Sequence, residues 1–237
     1  MGSAMLRLEN VDMSYGPGRE ALRDIDLALQ PGGFVFLMGP SASGKTSLLR
    51  LLGLALMPSA GRYSLFHRDV AELAPIELCG LRRRIGMVFQ DLRLLDHLSA
   101  FDNIALPLRI NGGQDAQIGG VVAEMMGWLG LAELREAAPS DLSMAQRQLV
   151  GVARAVIARP GLLLCDEPTS HVDDKLARRV MHLFGQLSKL GSMIVLATHD
   201  HDLVERHRYP ILRMSRGRLT RPAELAAAIA APLAAAV

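Results

Sequence analysis

The chain has 237 residues, half of them hydrophobic and 21% charged, enough for one packed α/β domain and incompatible with wholesale disorder. Its 26 basic and 24 acidic residues are interspersed and leave a net charge of +2, without the basic excess or stripe of a dedicated nucleic-acid binder. No basic stretch followed by an apolar run opens the sequence, and no uncharged apolar run reaches the roughly 18 residues of a membrane span. Neither a secretory signal nor a spanning helix is therefore expected.

In chain order, MLRLENV and LRDIDLALQ alternate as strands do, Pro31-Gly32-Gly33 makes a turn, and FVFLM is a third strand. GPSASGKT follows at once, and SLLRLLGLAL then carries a helical apolar pattern. RYSLF and IGMVF are two further short strands. From Asp91 to about Asp141 the spacing becomes helical, with Phe101, Ile104, Ala105 and Leu108 on one face and Pro107 expected to kink or restart the helix. Asn111-Gly112-Gly113 is a break, and QIGGVVAEMMGWLG begins another helix. Ser143 is placed to cap a helix that runs to Ala158 and stops at Arg159-Pro160-Gly161.

LLLC is a fully apolar strand of the kind found inside a parallel sheet, with Cys165 a small buried hydrophobe. Together with Cys79 it forms no disulfide pattern, which fits a reducing compartment. Leu176, Val180, Leu183, Phe184, Leu187 and Leu190 form a helical stripe, MIVLAT is another buried strand, and ILRMS and GRLT close the domain. Arg82, Arg83 and Arg84 form a solvated basic turn. The apolar tail AELAAAIAAPLAAAV, broken by Pro232, is expected to be a frayed helix or packing extension. Strands alternating with helices imply a mostly parallel sheet with a helical insertion near residues 91–142.

GPSASGKT at 39–46 satisfies the phosphate-loop pattern G-x-x-x-x-G-K-[ST], in the strand–loop–helix context that gives it meaning. Backbone N–H groups of Gly39, Pro40, Ser41, Ala42, Ser43 and Gly44, proline excepted, wrap a phosphate; Lys45 reaches the β/γ oxygens, and Ser47 follows. The Thr46 hydroxyl takes a Mg²⁺ position. Ala42 stands where glycine is common and makes the loop slightly less permissive. LLLCDE supplies the complement: Asp166 leaves a buried strand at its C-terminal end, where it can hold the magnesium shell, and Glu167 is the candidate general base.

With these motifs in this order, residues 5–220 resemble the ABC-type ATPases. The resemblance implies a P-loop NTPase (RecA-like) α/β core with an N-terminal antiparallel β subdomain and an inserted α-helical subdomain. It implies one domain over 1–237, with 1–90 and 143–237 as core and 91–142 as the helical subdomain. Tyr15 then matches the adenine-stacking aromatic, Gln90 the residue that touches metal and water, and His199 the switch histidine at the γ-phosphate. Asp173 in SHVD matches the acidic position of a loop that crosses between subunits. His67, His97, His182, His201 and His207 are read as surface or loop residues.

LRRRIGMVFQDLRLLDHLSAFDNIALPLRI resembles most the cell-division branch of the family. That implies an ATP- and Mg²⁺-dependent homodimer, peripheral on the cytoplasmic face of the inner membrane through an integral membrane protein of the FtsX type, with no nucleic acid. A lipoprotein-release, efflux or import ATPase is the alternative, and an ATP-gated adaptor with little turnover is a third.

The family's LSGGQ is LSMAQ here, with Ser143, Ala145 and Gln146 as contacts to the ATP of the opposite subunit. The hydroxyl and the N–H groups survive; what is lost is the steric emptiness of glycine. The penalty is small if Ala145 is already helical, so the expectation is weakened closure and slow, partner-dependent hydrolysis.

Overall fold

The computed structural model describes residues 4–220; the alanine-rich tail lies outside them. Strands β1 (Leu6–Ser14) and β2 (Glu20–Leu29) pair antiparallel, and β3 (Phe34–Met38) then leads into the loop before α1 (Lys45–Leu52). The chain returns to β1 through β4 (Ala60–Leu65) and β5 (Arg68–Asp69), giving an antiparallel sheet of order β2-β1-β4-β5. Helix α2 (Pro75–Arg82) and strand β6 (Ile85–Val88) precede three helices, α3 (Ala100–Ile110), α4 (Asp115–Leu129) and α5 (Met144–Val156). The second half alternates: β7 (Leu162–Asp166), α6 (Asp174–Lys189), β8 (Met193–Ala197), α7 (His201–His207), β9 (Ile211–Ser215) and β10 (Arg218–Thr220).

The second sheet has the order β10-β9-β3-β8-β7-β6, parallel except for β10. Every residue of β3, β7 and β8 is buried, because helices or the first sheet cover both faces. This is why these strands read as continuous apolar runs and not as alternation. One core cluster lies between this sheet and α3–α6, the other between it, α1 and the antiparallel sheet. Cys165 lies buried within the first.

The helical stretch departs from the sequence reading in one respect. Helix α3 runs unbroken through Pro107. Pro107 has no N–H to offer the Asn103 carbonyl; separately, the buried Asn103 side-chain amide donates to Leu95 O, Leu98 O and Ser99 O and anchors the preceding loop. Leu190 also departs: it caps the C-terminus of α6 and is exposed. His207 is half-buried against Tyr209 instead of lying on the surface. Arg82 and Arg84 are engaged, Arg82 with the Leu54 carbonyl and Arg84 over the Phe66 ring. No helix among the described residues is long and apolar enough to cross a membrane.

Candidate nucleotide-hydrolysis site

Parallel neighbours bring their C-terminal ends to one edge of the sheet, the usual ligand position in open α/β folds. Here β3 delivers the Gly39–Thr46 loop, β7 delivers Asp166 and Glu167, β8 delivers Thr198 and His199, and the segment after β6 delivers Gln90. The register places Asp166 beside Ala197, so the two acidic residues meet the Thr198-His199 pair although more than thirty positions separate them.

The loop is shaped by left-handed backbone at Ala42 (φ 59) and Gly44 (φ 107). At Ala42 a side chain pays the left-handed penalty, about 1–2 kcal/mol, which is the reduced permissiveness expected of an alanine there. Lys45 Nζ donates to the carbonyls of Gly39 (2.7 Å) and Pro40 (2.9 Å), which aims the ammonium across the mouth of the loop. The buried Ser43 hydroxyl has no hydrogen-bond partner among the described residues. Tyr15 and the Ser47 hydroxyl lie 3.1 Å apart. Both line a cavity of about 660 Å³ together with Ala42, Gly44, Lys45 and Thr46.

Thr46 Oγ1 donates to Asp166 Oδ2 at 2.7 Å, tying the first turn of α1 to the end of β7. Thr46, Asp166 and Gln90 line a second cavity of about 370 Å³. Two oxygens in contact with a side-chain amide opposite form a hard, oxygen-rich donor set suited to Mg²⁺. A bound Mg²⁺ would neutralise phosphate charge there.

Glu167 is only 8% exposed and adopts φ 52, a left-handed conformation that costs a non-glycine residue about 1–3 kcal/mol. Its N–H continues the β ladder to Ala197 O. Its Oε2 accepts from Thr198 Oγ1 at 3.1 Å, and Oε1 lies 2.6 Å from His199 Nδ1. Burial raises the Glu167 carboxyl above its ordinary value, partly opposed by His199 and Thr198, with Asp166 reinforcing the rise. The result is a basic carboxylate with one side chain holding each oxygen. His199 remains largely exposed (79% of its side chain) on the far side of that pair.

The remaining candidates lie elsewhere. Ser143 caps α5 in a capping box: its hydroxyl accepts from Gln146 N at 3.2 Å, and its N–H donates to Gln146 Oε1 at 2.8 Å. Accepting leaves the hydroxyl hydrogen free to donate outward. Met144 and Ala145 form the first helical turn with ordinary negative φ, so this helix does not need glycine there. Met144 is 49% exposed. Asp173 caps α6 through Leu176 N at 2.8 Å. Ser143, Ala145, Gln146 and Asp173 line neither of the two cavities.

Three contributors escaped the sequence reading. Thr198, Gln148 and Arg154 each bond to a site segment. Gln148 had a visible signal: a polar residue on the core-facing side of an amphipathic helix.

Residues 22–170 match the model of the ABC transporter family. The chain belongs to that family. It is 39% identical to the cell division ATP-binding protein FtsE of Escherichia coli K12 over 91% of this chain and 97% of that protein. It is 40% identical to FtsE of Mycobacterium tuberculosis H37Rv, covering 92% and 95% respectively. The methionine import ATP-binding protein MetN of Bradyrhizobium diazoefficiens is 38% identical over 94% of this chain and 66% of its own length. Among solved structures, the ATP-binding cassette MJ0796, dimeric in a post-hydrolysis state with ADP and Pi, superposes with a TM-score of 0.85. That match has 30% identity and covers 92% of this chain and 97% of the other. The fold is the cassette fold, and the protein is an ABC-type ATPase similar to FtsE.

Proposed function

We propose that this ATPase works as a cell-division cassette: it dimerises on ATP and transmits the cycle to an integral membrane partner of the FtsX type, leading to activation of peptidoglycan hydrolases. The observation that carries the catalytic part is the meeting of two pairs at one sheet edge, Thr46 with Asp166 at 2.7 Å and Glu167 with His199 at 2.6 Å. Lys45 neutralises the β/γ oxygens, Thr46, Gln90 and Asp166 would hold Mg²⁺, which would supply further neutralisation of phosphate charge, and Glu167 takes the proton of the attacking water while His199 keeps it aligned. Tyr15 carries the adenine. Ser143, Ala145, Gln146 and Asp173 meet the ATP of the second copy; like the hydrolysis site they lie in the core formed by residues 1–90 and 143–237, with 91–142 as the helical subdomain.

A groove of about 370 Å³ between α2, β6, α3 and α5 has apolar walls, among them Phe89, Leu95, Leu106 and Pro107, with Arg83 and Arg93 at its edge. It suits a short partner helix with apolar and acidic side chains, which would hold this chain at the cytoplasmic membrane face. Capture of membrane proteins on the tagged chain, followed by phosphate release with and without the captured partner, tests the reading. A four-span partner with a large external loop that raises turnover is expected. Capture of a solute-import or lipoprotein-release permease would replace it with the transporter alternative. Turnover in the complex equal to that of Glu167→Gln would leave the adaptor.

LSMAQ sets the rate and not the capacity. The helix N-terminus and its hydroxyl still face outward, and only the bulk of Met144 stands before the second copy. The double variant Met144→Gly plus Ala145→Gly is therefore expected to raise phosphate release several-fold while lowering thermal stability. Each glycine costs about 1 kcal/mol in a helix. Unchanged turnover alongside the lower melting temperature would show that the altered signature does not limit the enzyme.

A further inference from the structure

Helix α5 reaches the site of its own chain at two points. Gln148, 1% exposed in its second turn, donates through Nε2 to Pro168 O at 2.9 Å and to Glu167 O at 3.5 Å. Nearly two turns later, Arg154 donates to Arg93 O through Nη1 at 2.7 Å and to Leu92 O through Nη2 at 2.6 Å. Burial lowers the Arg154 guanidinium from its ordinary value, and the two carbonyls it forks are the compensation for that burial.

Both held segments are strained in the same way. Glu167 has φ 52, and Leu92 and Arg93 have φ 56 and 46. Left-handed backbone at bulky residues persists only where the surroundings hold it. One segment contains the base; the other follows Gln90 within three residues. The same helix presents Ser143–Gln146 outward at its N-terminus and Arg154 beside the apolar groove at its other end.

We propose that α5 is a single positioning strut, in which Gln148 holds Glu167 and Arg154 holds the turn behind Gln90. The proposal rests on the ATPase reading above. It differs from simple bracing in what it predicts: the two side chains serve one element, so their losses overlap and fall on the chemical step.

The test measures steady-state phosphate release by the full chain as wild type, Glu167→Gln, Gln148→Met, Arg154→Lys and the double variant Gln148→Met plus Arg154→Lys, at two temperatures with melting curves. Met matches the volume of Gln without its donor, and Lys keeps the charge of Arg without its fork. Each single variant is expected to lose about 10- to 100-fold in kcat, the scale of a small misplacement at a reacting centre. KM for ATP should stay within about twofold, and the double variant should be little worse than the worse single one. Unchanged kcat in either folded variant overturns the proposal, as does a loss that vanishes at the lower temperature in step with the folded fraction. Wild-type turnover no faster than that of Glu167→Gln removes the hydrolase reading and the proposal with it.

Discussion

Glu167→Gln is expected to cut phosphate release by about 10²–10⁴-fold, the contribution of a positioned general base, while ATP binding stays close to wild type. The amide preserves shape and can still accept from Thr198, but it cannot take a proton from water. The environment makes a second prediction with a definite sign. Burial raises the folded carboxyl above its unfolded value, with His199 and Thr198 opposing and Asp166 adding to the rise. The folded state therefore binds the proton more tightly, and stability falls as pH rises through the folded value. Above the folded value the ionised carboxylate is a burden that the glutamine relieves, so the variant should there melt no lower than wild type, and the difference should vanish at acid pH. Turnover of the wild type should lose its acid limb above the usual carboxylate range. Phosphate release across pH, with melting curves for both proteins, checks all three. A fall in turnover matched by a lower melting temperature would point to unfolding and not to loss of a base.

The second large effect is expected at Gly39→Ala. A Cβ on Gly39 would lie 2.2 Å from the Met214 carbonyl oxygen and 2.8 Å from Ser43 Oγ. The first obstacle is backbone of β9, which is locked to β3 through the pairs Leu37 with Leu212 and Met38 with Arg213. Neither strand can yield cheaply, so an overpacking cost of about 1–3 kcal/mol is expected, or roughly 2–4 °C of melting temperature per kcal/mol for a chain of this size. The phosphate loop leaves β3 at this glycine, and the hairpin beyond Met214 also holds it through Gly217 N to Ser43 O at 2.9 Å. Displacement should therefore weaken ATP binding by about 10-fold or more. Gly80→Ala on α2 is the control, because a Cβ there meets nothing within 4 Å and the helix should gain up to about 1 kcal/mol. Equal melting temperatures and affinities for wild type and Gly39→Ala would show that the loop tolerates the displacement.

Local chemistry was readable in the linear sequence. A strand, a glycine-rich loop, a lysine and a threonine at set spacing specify a phosphate cradle whatever surrounds them, because the ligand is held mainly by consecutive backbone N–H groups. An uninterrupted apolar run ending in Asp166-Glu167 specifies a buried parallel strand with acids at its exit, because only a strand covered on both faces loses its alternation. Ser143 at the head of an amphipathic run is a helix cap by position, and the structure adds the reciprocal bond from Gln146. At Pro107 the helix continues without restarting, and Leu190 was misread because a helical stripe ends where the helix does.

Tertiary structure alone decided how the distant segments meet. The register of β7 against β8 sets His199 against Glu167, and the β3–β8–β7 order sets Thr46 against Asp166. No spacing encodes either, since both follow from strand neighbours chosen by packing across the whole sheet. Folding also decided the backbone at LSMAQ: Met144 and Ala145 occupy an ordinary helical turn, so glycine's backbone freedom is not needed there, and the Met144 side chain is left exposed. Gln148 stands out in the sequence as a polar residue on a core-facing side, but its role and that of Arg154 were decided by folding, because their partners are main-chain carbonyls, which carry no residue identity.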